Sequence, residues 1–237
     1  MIVTTAGRTN EAFILKAKEA AIQLGIPYIP RQKKSISFFL EKYGETLVIG
    51  KNGMEIHCQG KKEPFFFHPN MAMVRIKRLD ADEHDVFIDV TGLQEGSSIL
   101  DCTLGYASDS IVASYIVGEG GKVTGLEANP GMAYVVRSGL DEYNEGSERL
   151  KAAMRRIEVV NADHCSHLRT LPDASYDVVY FDPMFEQSIE ASSALQAIGN
   201  LAVRSGLEQA VIDEAKRVAR SKVILKDHFK STRFEQF

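Results

Sequence analysis

From about residue 80 onward, the sequence alternates regularly between short apolar segments and helical segments. The apolar segments predict strands at 99–101, 122–127, 157–161, 177–181 and 222–226. Helical patterns lie between them at 110–117, at 130–143 and in a long stretch from 189 to 219, interrupted near Gly206. Strands that alternate with helices form a mainly parallel sheet, because each helix crosses from one strand to the next. The predicted fold class is therefore α/β, with a Rossmann-like, doubly wound sheet.

Residues 1–70 have a different pattern and predict a small α+β region. Apolar residues at 2–5 indicate a strand, and a helical repeat runs from about Asn10 to Leu24. The Asn52-Gly53 dipeptide between two apolar segments is a strong signal for a two-residue hairpin. We therefore divide the chain into an N-terminal region, 1–70, and a sheet domain, 71–237.

The segment 97–110 contains the first predicted turn from a strand of this sheet into a helix. The strand ends at Asp101, the turn passes through Gly105, and the helix begins near Ser108 and Asp109. Turns of this kind bring a ligand close to the backbone, and a glycine has no Cβ to hold it away. The GxGxxG fingerprint of dinucleotide-binding proteins is missing, which disfavours a nicotinamide-dependent oxidoreductase.

Four consecutive predicted strands end in an acidic residue. These residues are Asp101, Glu127, Asp163 and Asp182. Because the carboxyl ends of parallel strands meet at one edge of a sheet, we expect the four acids to form a single ligand site. Glu127 is placed to accept hydrogen bonds from ribose hydroxyls, and Asp163 from an adenine amino group. Taken singly, each acid could instead be the N-cap of a helix.

The charge of this site favours a cationic ligand. An acid at the start of the first helix, Asp109, would repel a pyrophosphate. S-adenosylmethionine carries an adenosine, a sulfonium and an ammonium, and therefore fits the pattern.

The tetrapeptide Asp182-Pro183-Met184-Phe185 follows the fourth strand and has the groups needed to position an amino group. An amino group attached to a purine is a poor nucleophile, because its lone pair is delocalised. The carboxylate of Asp182 and the carbonyl of Pro183 can accept its hydrogen bonds, and Phe185 can stack on the base. Asp182, Pro183 and Phe185 are therefore the predicted catalytic residues, acting by positioning and proton acceptance.

The segments DCTLGYASD, GLE, NAD and YFDPMF resemble the class I S-adenosylmethionine-dependent methyltransferases that modify amino groups. The chain is most similar to the small-subunit ribosomal RNA guanine-N2 methyltransferases of the J type, over about residues 65–230, and Met184 agrees with that type. The resemblance implies a methyltransferase domain at 71–237, S-adenosylmethionine as cofactor, and an RNA substrate, either small-subunit ribosomal RNA or a ribosomal particle. The cofactor contacts it implies, together with the predicted Asp101 and Gly105, are Ser108, Asp109, Glu127, Ala128, Asp163, His164 and Asp182.

Ala107 departs from the family pattern, which has a glycine at this position. We expect alanine to be tolerated there only if its φ is negative. By analogy with appended domains in this superfamily, residues 4–8 and the basic cluster 31–34 are candidates for substrate recognition. Sheets of this type usually have two more strands than are predicted here, so either the natural chain is longer or the strand at 222–226 is an exposed edge.

Composition limits the class of protein. The net charge of −4 argues against a protein coated for non-specific nucleic-acid binding, although a local basic face stays possible. The absence of a long apolar run and of a basic leader predicts a cytoplasmic protein with no membrane partner. The three cysteines, Cys58, Cys102 and Cys165, are widely spaced and predict no metal site. Two alternatives stay open: methyl transfer to another amino acceptor (a protein amide, a DNA adenine or a small amine), and a non-catalytic RNA-binding or assembly factor on the same fold.

Overall fold

The computed structural model describes residues 1–183 and 207–237. The elements of the N-terminal part are β1 (Ile2–Thr5), α1 (Glu11–Leu24), α2 (Ile36–Tyr43), β2 (Thr46–Gly50), β3 (Gly53–His57), α3 (Asn70–Leu79) and α4 (Val86–Thr91). They are followed by β4 (Ser98–Asp101), α5 (Ser108–Val117), β5 (Lys122–Glu127), α6 (Pro130–Glu142), α7 (Glu148–Arg155), β6 (Glu158–Asn161), α8 (His164–Leu168), β7 (Tyr176–Phe181), α9 (Gln209–Val218), β8 (Ala219–Leu225) and α10 (Arg233–Gln236).

The N-terminal strands form a three-stranded sheet in the order β1-β2-β3. β1 and β2 are parallel, because α1 carries the chain back between them, and β2 and β3 form the antiparallel hairpin predicted at Asn52-Gly53. Gly53 has a φ of +101°, which suits the glycine of such a turn. Val3 and Ile56 are fully buried in this part of the molecule.

The second sheet has five parallel strands in the order β6-β5-β4-β7-β8. The chain starts in the middle at β4, runs outward to β6, and then crosses back to β7. The switch point therefore lies between β4 and β7, and ligands bind at the carboxyl ends of the strands at such a point. This topology confirms the predicted doubly wound α/β fold.

Alternate residues of the central strands enter two different cores. Ile99 faces the larger core, which contains residues of α3, α5, α6 and α7. Leu100 faces a smaller core that α8 and α9 help to form. The larger core also contains Val3 and Ile56, so the N-terminal sheet and the five-stranded sheet share one continuous apolar interior.

The structure corrects several element boundaries. Helices at α2, α7 and α8 were not anticipated, because each has at most eight residues and too few turns to show a clear apolar repeat. The last strand begins at Ala219, where the sequence pattern predicted the end of a helix. Most of that long predicted helix falls on residues outside the described part of the chain.

No helix within residues 1–183 and 207–237 is both long and apolar enough to cross a bilayer.

Candidate active site at the carboxyl edge of the sheet

Three of the predicted acids lie at the carboxyl ends of neighbouring strands. Asp101 ends β4, Glu127 ends β5, and Asp182 directly follows β7. The registers pair Asp101 with Gly125 of β5 and with Tyr180 of β7, so the three strands end at a common level. The sheet therefore brings these carboxylates to one edge, at the topological switch point.

Asp101 is buried and fully engaged in the turn that follows β4. Its Oδ2 accepts a hydrogen bond from the Ser110 hydroxyl at 2.7 Å, and its Oδ1 accepts one from the Thr103 amide at 3.0 Å. Burial raises the pKa of Asp101 to about 7 against these hydrogen bonds, and the nearby charges of Asp109 and Asp182 raise it further. Asp101 is therefore partly protonated near neutral pH. Its hydrogen bond with Ser110 holds the first turn of α5 against the end of β4.

Glu127 is held by backbone amides at the end of β5. The amides of Gly105, Ala128 and Asn129 donate to its carboxylate, the last at 2.8 Å. Burial nevertheless raises the pKa of Glu127 above its ordinary value. A carboxylate has about four lone-pair positions, so three amides leave capacity for a ribose hydroxyl. Gly105 itself has a φ of +51°, which a glycine adopts without strain.

Ala107 overturns the expectation of a negative φ at this position. Its φ is +61° and its ψ is +20°, in the left-handed region, and it forms the N-cap of α5. The Ala107 amide donates to the Leu104 carbonyl at 2.7 Å, which closes the turn. An L-residue in this conformation is disfavoured by roughly 1–2 kcal/mol. The turn after β4 therefore has the left-handed conformation that a glycine adopts easily, although the residue at this position is alanine.

Asp109, in the first turn of α5, is surrounded by donors. The Tyr180 hydroxyl donates to its Oδ2 at 2.7 Å, Lys226 Nζ lies 3.1 Å from the same atom, and Arg75 Nη1 donates to its Oδ1. Burial would raise the pKa of Asp109, but Lys226, Arg75 and the Tyr180 hydroxyl lower it below its ordinary value. The carboxylate of Asp109 therefore stays ionised. The preceding residue, Ser108, is the first residue of α5.

Asp182 forms an ion pair with a residue from the next strand. Lys226 follows β8, and its Nζ lies 2.6 Å from Asp182 Oδ2. The Asp182 amide donates to Thr103 Oγ1 at 2.6 Å, which ties the end of β7 to the turn after β4. Burial raises the pKa of Asp182, while the Lys226 ammonium opposes this shift. Pro183 is half-buried beside it, and the predicted stacking residue Phe185 lies outside the described residues.

The fourth acid, Asp163, follows β6 and is the N-cap of α8. Its Oδ1 accepts a hydrogen bond from the Ser166 amide at 3.1 Å, as the capping alternative predicts. His164 is buried against the ring of Phe181, and its Nε2 is enclosed without a hydrogen-bond partner in the described part of the chain. Burial lowers the pKa of His164, so the ring is neutral near pH 7. Its adjacent Cys165 lies on the same helix and not on a strand.

The sequence reasoning missed the two cations of this site. Lys226 follows an apolar strand, and Arg75 lies on α3, 34 residues before Asp109. Lysine and arginine are common on protein surfaces, so neither residue stands out in the sequence. Together these two cations pair with three carboxylates, Asp85, Asp109 and Asp182, so this group of five side chains carries a net negative charge when all are ionised. A net negative charge favours a cationic ligand.

No cluster of three or more metal-ligating side chains occurs among the residues that the structure describes.

Comparisons with known proteins assign this fold to a family. A family model described as "Putative SAM-dependent methyltransferase" matches residues 33–235. An uncharacterised protein of Bacillus subtilis is 47% identical over the whole chain and 92% of its own length. A ribosomal RNA small subunit methyltransferase J of Acinetobacter baumannii is 25% identical over 70% of this chain, which spans 58% of that relative.

A solved structure shows the same fold. The crystal structure of a SAM-dependent methyltransferase from Neisseria gonorrhoeae is 17% identical and matches with a TM-score of 0.60, over 95% of this chain and 84% of that one. The family match covers the strand-end acids and the turn after β4. The chain therefore belongs to the SAM-dependent methyltransferase family, as a class I enzyme that resembles the J-type methyltransferases and takes S-adenosylmethionine as its cofactor.

Proposed function

We propose that this enzyme methylates an exocyclic amino group of RNA, with N2 of a guanine in ribosomal RNA as the target. The observation that carries the proposal is the Asp182–Lys226 pair at the switch point, at the start of the Asp-Pro-Met-Phe segment. The relatives named as ribosomal RNA small subunit methyltransferases support the choice of RNA.

The cofactor supplies an electrophilic methyl group on a positively charged sulfur. The residues of this chain orient the amino group that attacks it. Lys226 engages Oδ2 of Asp182, and we assign to Oδ1 the acceptance of one amino hydrogen. The Pro183 carbonyl accepts the second hydrogen, which leaves the nitrogen lone pair directed at the methyl carbon. As the new carbon–nitrogen bond forms, the amino group loses a proton, and Asp182 is placed to receive it.

The cofactor site is proposed to consist of the residues at the ends of β4, β5 and β6. Gly105 and Ser108 supply backbone at the turn, and Asp101 and Asp109 supply negative charge. Glu127 and Ala128 hold the ribose, and Asp163 and His164 border the adenine. Substitution of Glu127 by Gln, which keeps its size, should weaken cofactor binding in isothermal titration.

The experiment that tests the reaction is methyl transfer from labelled S-adenosylmethionine to RNA by Asp182→Ala and Asp182→Asn variants. Removing this acceptor should lower kcat by about a hundredfold or more. Full activity of Asp182→Ala on the true substrate would refute the assigned mechanism.

A second variant tests the stacking role of the residue three positions later. Phe185→Ala should lose turnover and keep cofactor binding, because its ring is expected to contact the acceptor base and not the cofactor. If the same enzyme methylates a protein amide or a DNA adenine in preference to RNA, the proposed acceptor is wrong. If it binds RNA and the cofactor without any transfer, it is a binding factor.

A further inference from the structure

Three cations of the N-terminal region lie in one tight turn beside the small sheet. Tyr28 pairs with Val3 of β1 in a parallel bridge, and the Ile29 amide donates to the Val3 carbonyl at 2.8 Å. Because this pairing is parallel, the chain reaches Arg31 at the carboxyl end of β1. Residues 5–8 leave β1 at the same end.

The turn has an unfavourable backbone conformation. The Lys34 amide donates to the Arg31 carbonyl at 3.0 Å, and the two residues between them, Gln32 and Lys33, have φ values of +45° and +61°. Turns with two left-handed central residues favour asparagine and glycine, and neither is present here. Each of these L-residues is disfavoured by roughly 1–2 kcal/mol. The conformation places both Lys33 and Lys34 in solvent, and such strain is a feature of binding sites.

The guanidinium of Arg31 is partly buried and has no counter-ion among residues 1–183 and 207–237. Its Nε and Nη1 are shielded from solvent and have no hydrogen-bond partner in the part of the chain that the structure describes. Its Cζ lies 5.4 Å from the ring centre of Phe39. Within the described part of the chain, Arg31 forms no ion pair. A desolvated cation without an anion is unfavourable, so a bound anion would compensate for the lost hydration.

Aromatic rings of α2 lie among these cations. Lys34 Nζ is 5.2 Å from the ring centre of Phe38, and Lys42 Nζ is 5.7 Å from the same ring and 5.2 Å from that of Tyr43. We call this set the N-terminal cationic surface, and it consists of Arg31, Lys33, Lys34 and Lys42 with the rings of Phe38 and Tyr43, whereas Phe39 is buried beneath Arg31. None of its four cations forms an ion pair with an acid in residues 1–183 or 207–237.

We propose that the N-terminal cationic surface binds the sugar–phosphate backbone of a single-stranded segment of RNA. Clustered cations with interleaved aromatic rings are the usual groups for this ligand, since phosphates pair with the cations and bases stack on rings. The inference rests on the proposed function and adds a second contact to it.

The surface lies at the end of β1 that is opposite to its contact with α6. Met1, at the amino end of β1, lies against Gly131 at the start of α6, whereas the cationic surface is at the carboxyl end of β1. The two ends of this strand are about 10 Å apart. We expect the surface to hold RNA that flanks the methylated nucleotide.

The test compares two double variants in RNA binding. The probe is a fluorescein-labelled single-stranded RNA of about 20 nucleotides, longer than most single-strand sites. Lys33→Ala with Lys34→Ala removes two charges from the surface, and Lys77→Ala with Lys216→Ala removes two exposed lysines from helices elsewhere. Fluorescence anisotropy measured between about 50 and 200 mM salt gives the affinity and its salt slope.

The first pair should weaken binding by about tenfold and lower the salt slope by about 0.7 per lost phosphate contact. The control pair should bind like the wild type. Equal effects of the two pairs, or no effect of the first, would overturn the proposal.

Arg31→Met separates binding from folding. Methionine keeps apolar contact with Phe39 and removes the uncompensated charge, so the thermal midpoint should stay the same or rise while RNA affinity falls. A lower midpoint with unchanged RNA affinity would show that Arg31 is structural and would contradict the proposal.

The methylation assay separates this inference from the proposed reaction. RNA binding that depends on Lys33 and Lys34, without methyl transfer to RNA, would refute the proposed reaction and support the surface. Methyl transfer by the wild type, with RNA affinity unchanged in these variants, would refute the surface and support the reaction.

Discussion

At the scale of single residues, Asp101 combines deep burial with a pKa of about 7, far above its ordinary value of 3.8. A carboxyl group whose pKa is raised in the folded state binds more protons when folded than when unfolded. Stability therefore falls as pH rises through the window between these values. Below about pH 4 the group is neutral in both states, and above about pH 7 the loss is complete.

Asp101→Asn removes this titratable group, so the difference in unfolding free energy between the variant and the wild type should depend on pH. The free energy of unfolding of the variant, relative to the wild type, should increase by about 1.4 kcal/mol per pH unit from pH 4 to 7 and then level off. Urea unfolding across this range measures it. A difference that does not change with pH would show that Asp101 titrates normally.

Lys226 is the residue-scale feature that the sequence did not reveal. The ammonium stabilises the charged form of Asp182, so Lys226→Met should raise the pKa of that carboxyl and move the acidic limb of the kcat–pH profile to higher pH by about one unit. Lys226→Arg keeps the charge and should leave the limb near its wild-type position. Identical profiles for Lys226→Met and the wild type would show that the pair does not control Asp182.

The acids of the site could be predicted and its cations could not, for a physical reason. Asp101, Glu127 and Asp182 each follow an apolar strand directly, so a local pattern locates them. Lys226 reaches Asp182 from another strand, 44 residues away, and Arg75 reaches Asp109 from α3. Such contacts depend on which strands are neighbours, and that information is not local. The left-handed Ala107 was missed because its φ is set by closure of the turn onto Leu104.

At the scale of elements, α6 lies between the two sheets, and its two glycines, Gly131 and Gly139, have different neighbours. A Cβ at Gly139 would lie 2.2 Å from the Phe67 ring and 2.5 Å from its Cβ, so the ring cannot move aside easily. A Cβ at Gly131 would meet the flexible end of the Met1 side chain, at 2.5 Å, and the side-chain oxygen of Asn129, at 3.3 Å. The two positions therefore differ in how closely the packing opposes an added methyl group.

Gly139→Ala should lower the free energy of unfolding by about 1–3 kcal/mol because of overpacking, although alanine is the better helix former. The matched change Gly131→Ala, in the same helix, should be neutral or mildly stabilising. Chemical unfolding of both variants measures the effect, and equal stabilities would show that Phe67 repacks without loss.

Helices and strands could be predicted where the apolar repeat extends over enough residues to be recognised. The five strands and the helices α1, α5 and α6 follow clear repeats, and the Asn52-Gly53 turn was identified from its two residues. The short helices α2, α7 and α8 are stabilised by capping side chains, Ser35, Ser147 and Asp163, and by tertiary packing. Neither feature produces a repeat in the sequence.

At the scale of the whole molecule, the larger core joins both sheets. Val3 and Ile56 of the small sheet belong to the same buried cluster as Ile99 of the large one. Phe65 stacks on Tyr106, in the turn after β4, with ring centres 4.8 Å apart. The division at residue 70 stays a prediction about substrate recognition, and the shared core predicts that the two parts unfold together.

Calorimetry tests this cooperativity. Unfolding should give one transition whose van't Hoff enthalpy agrees with the calorimetric enthalpy, because no part of the core can melt without exposing the other. Two resolved transitions, one of them shifted by a variant such as Phe65→Leu at the contact with Tyr106, would show that the parts melt independently.

The contribution of Lys226 through the last strand of the sheet has a consequence for the order of events on the ribosome. Proteins emerge from their amino end, at about 5–20 residues per second. The turn after β4, Asp109 and Asp182 have all been synthesised before Lys226 leaves the peptidyl-transferase centre. During that interval Asp182 and Asp109 both lack their ammonium partner. The proposed acceptor site is thus completed only when β8 has paired with β7, near the end of synthesis of the sheet.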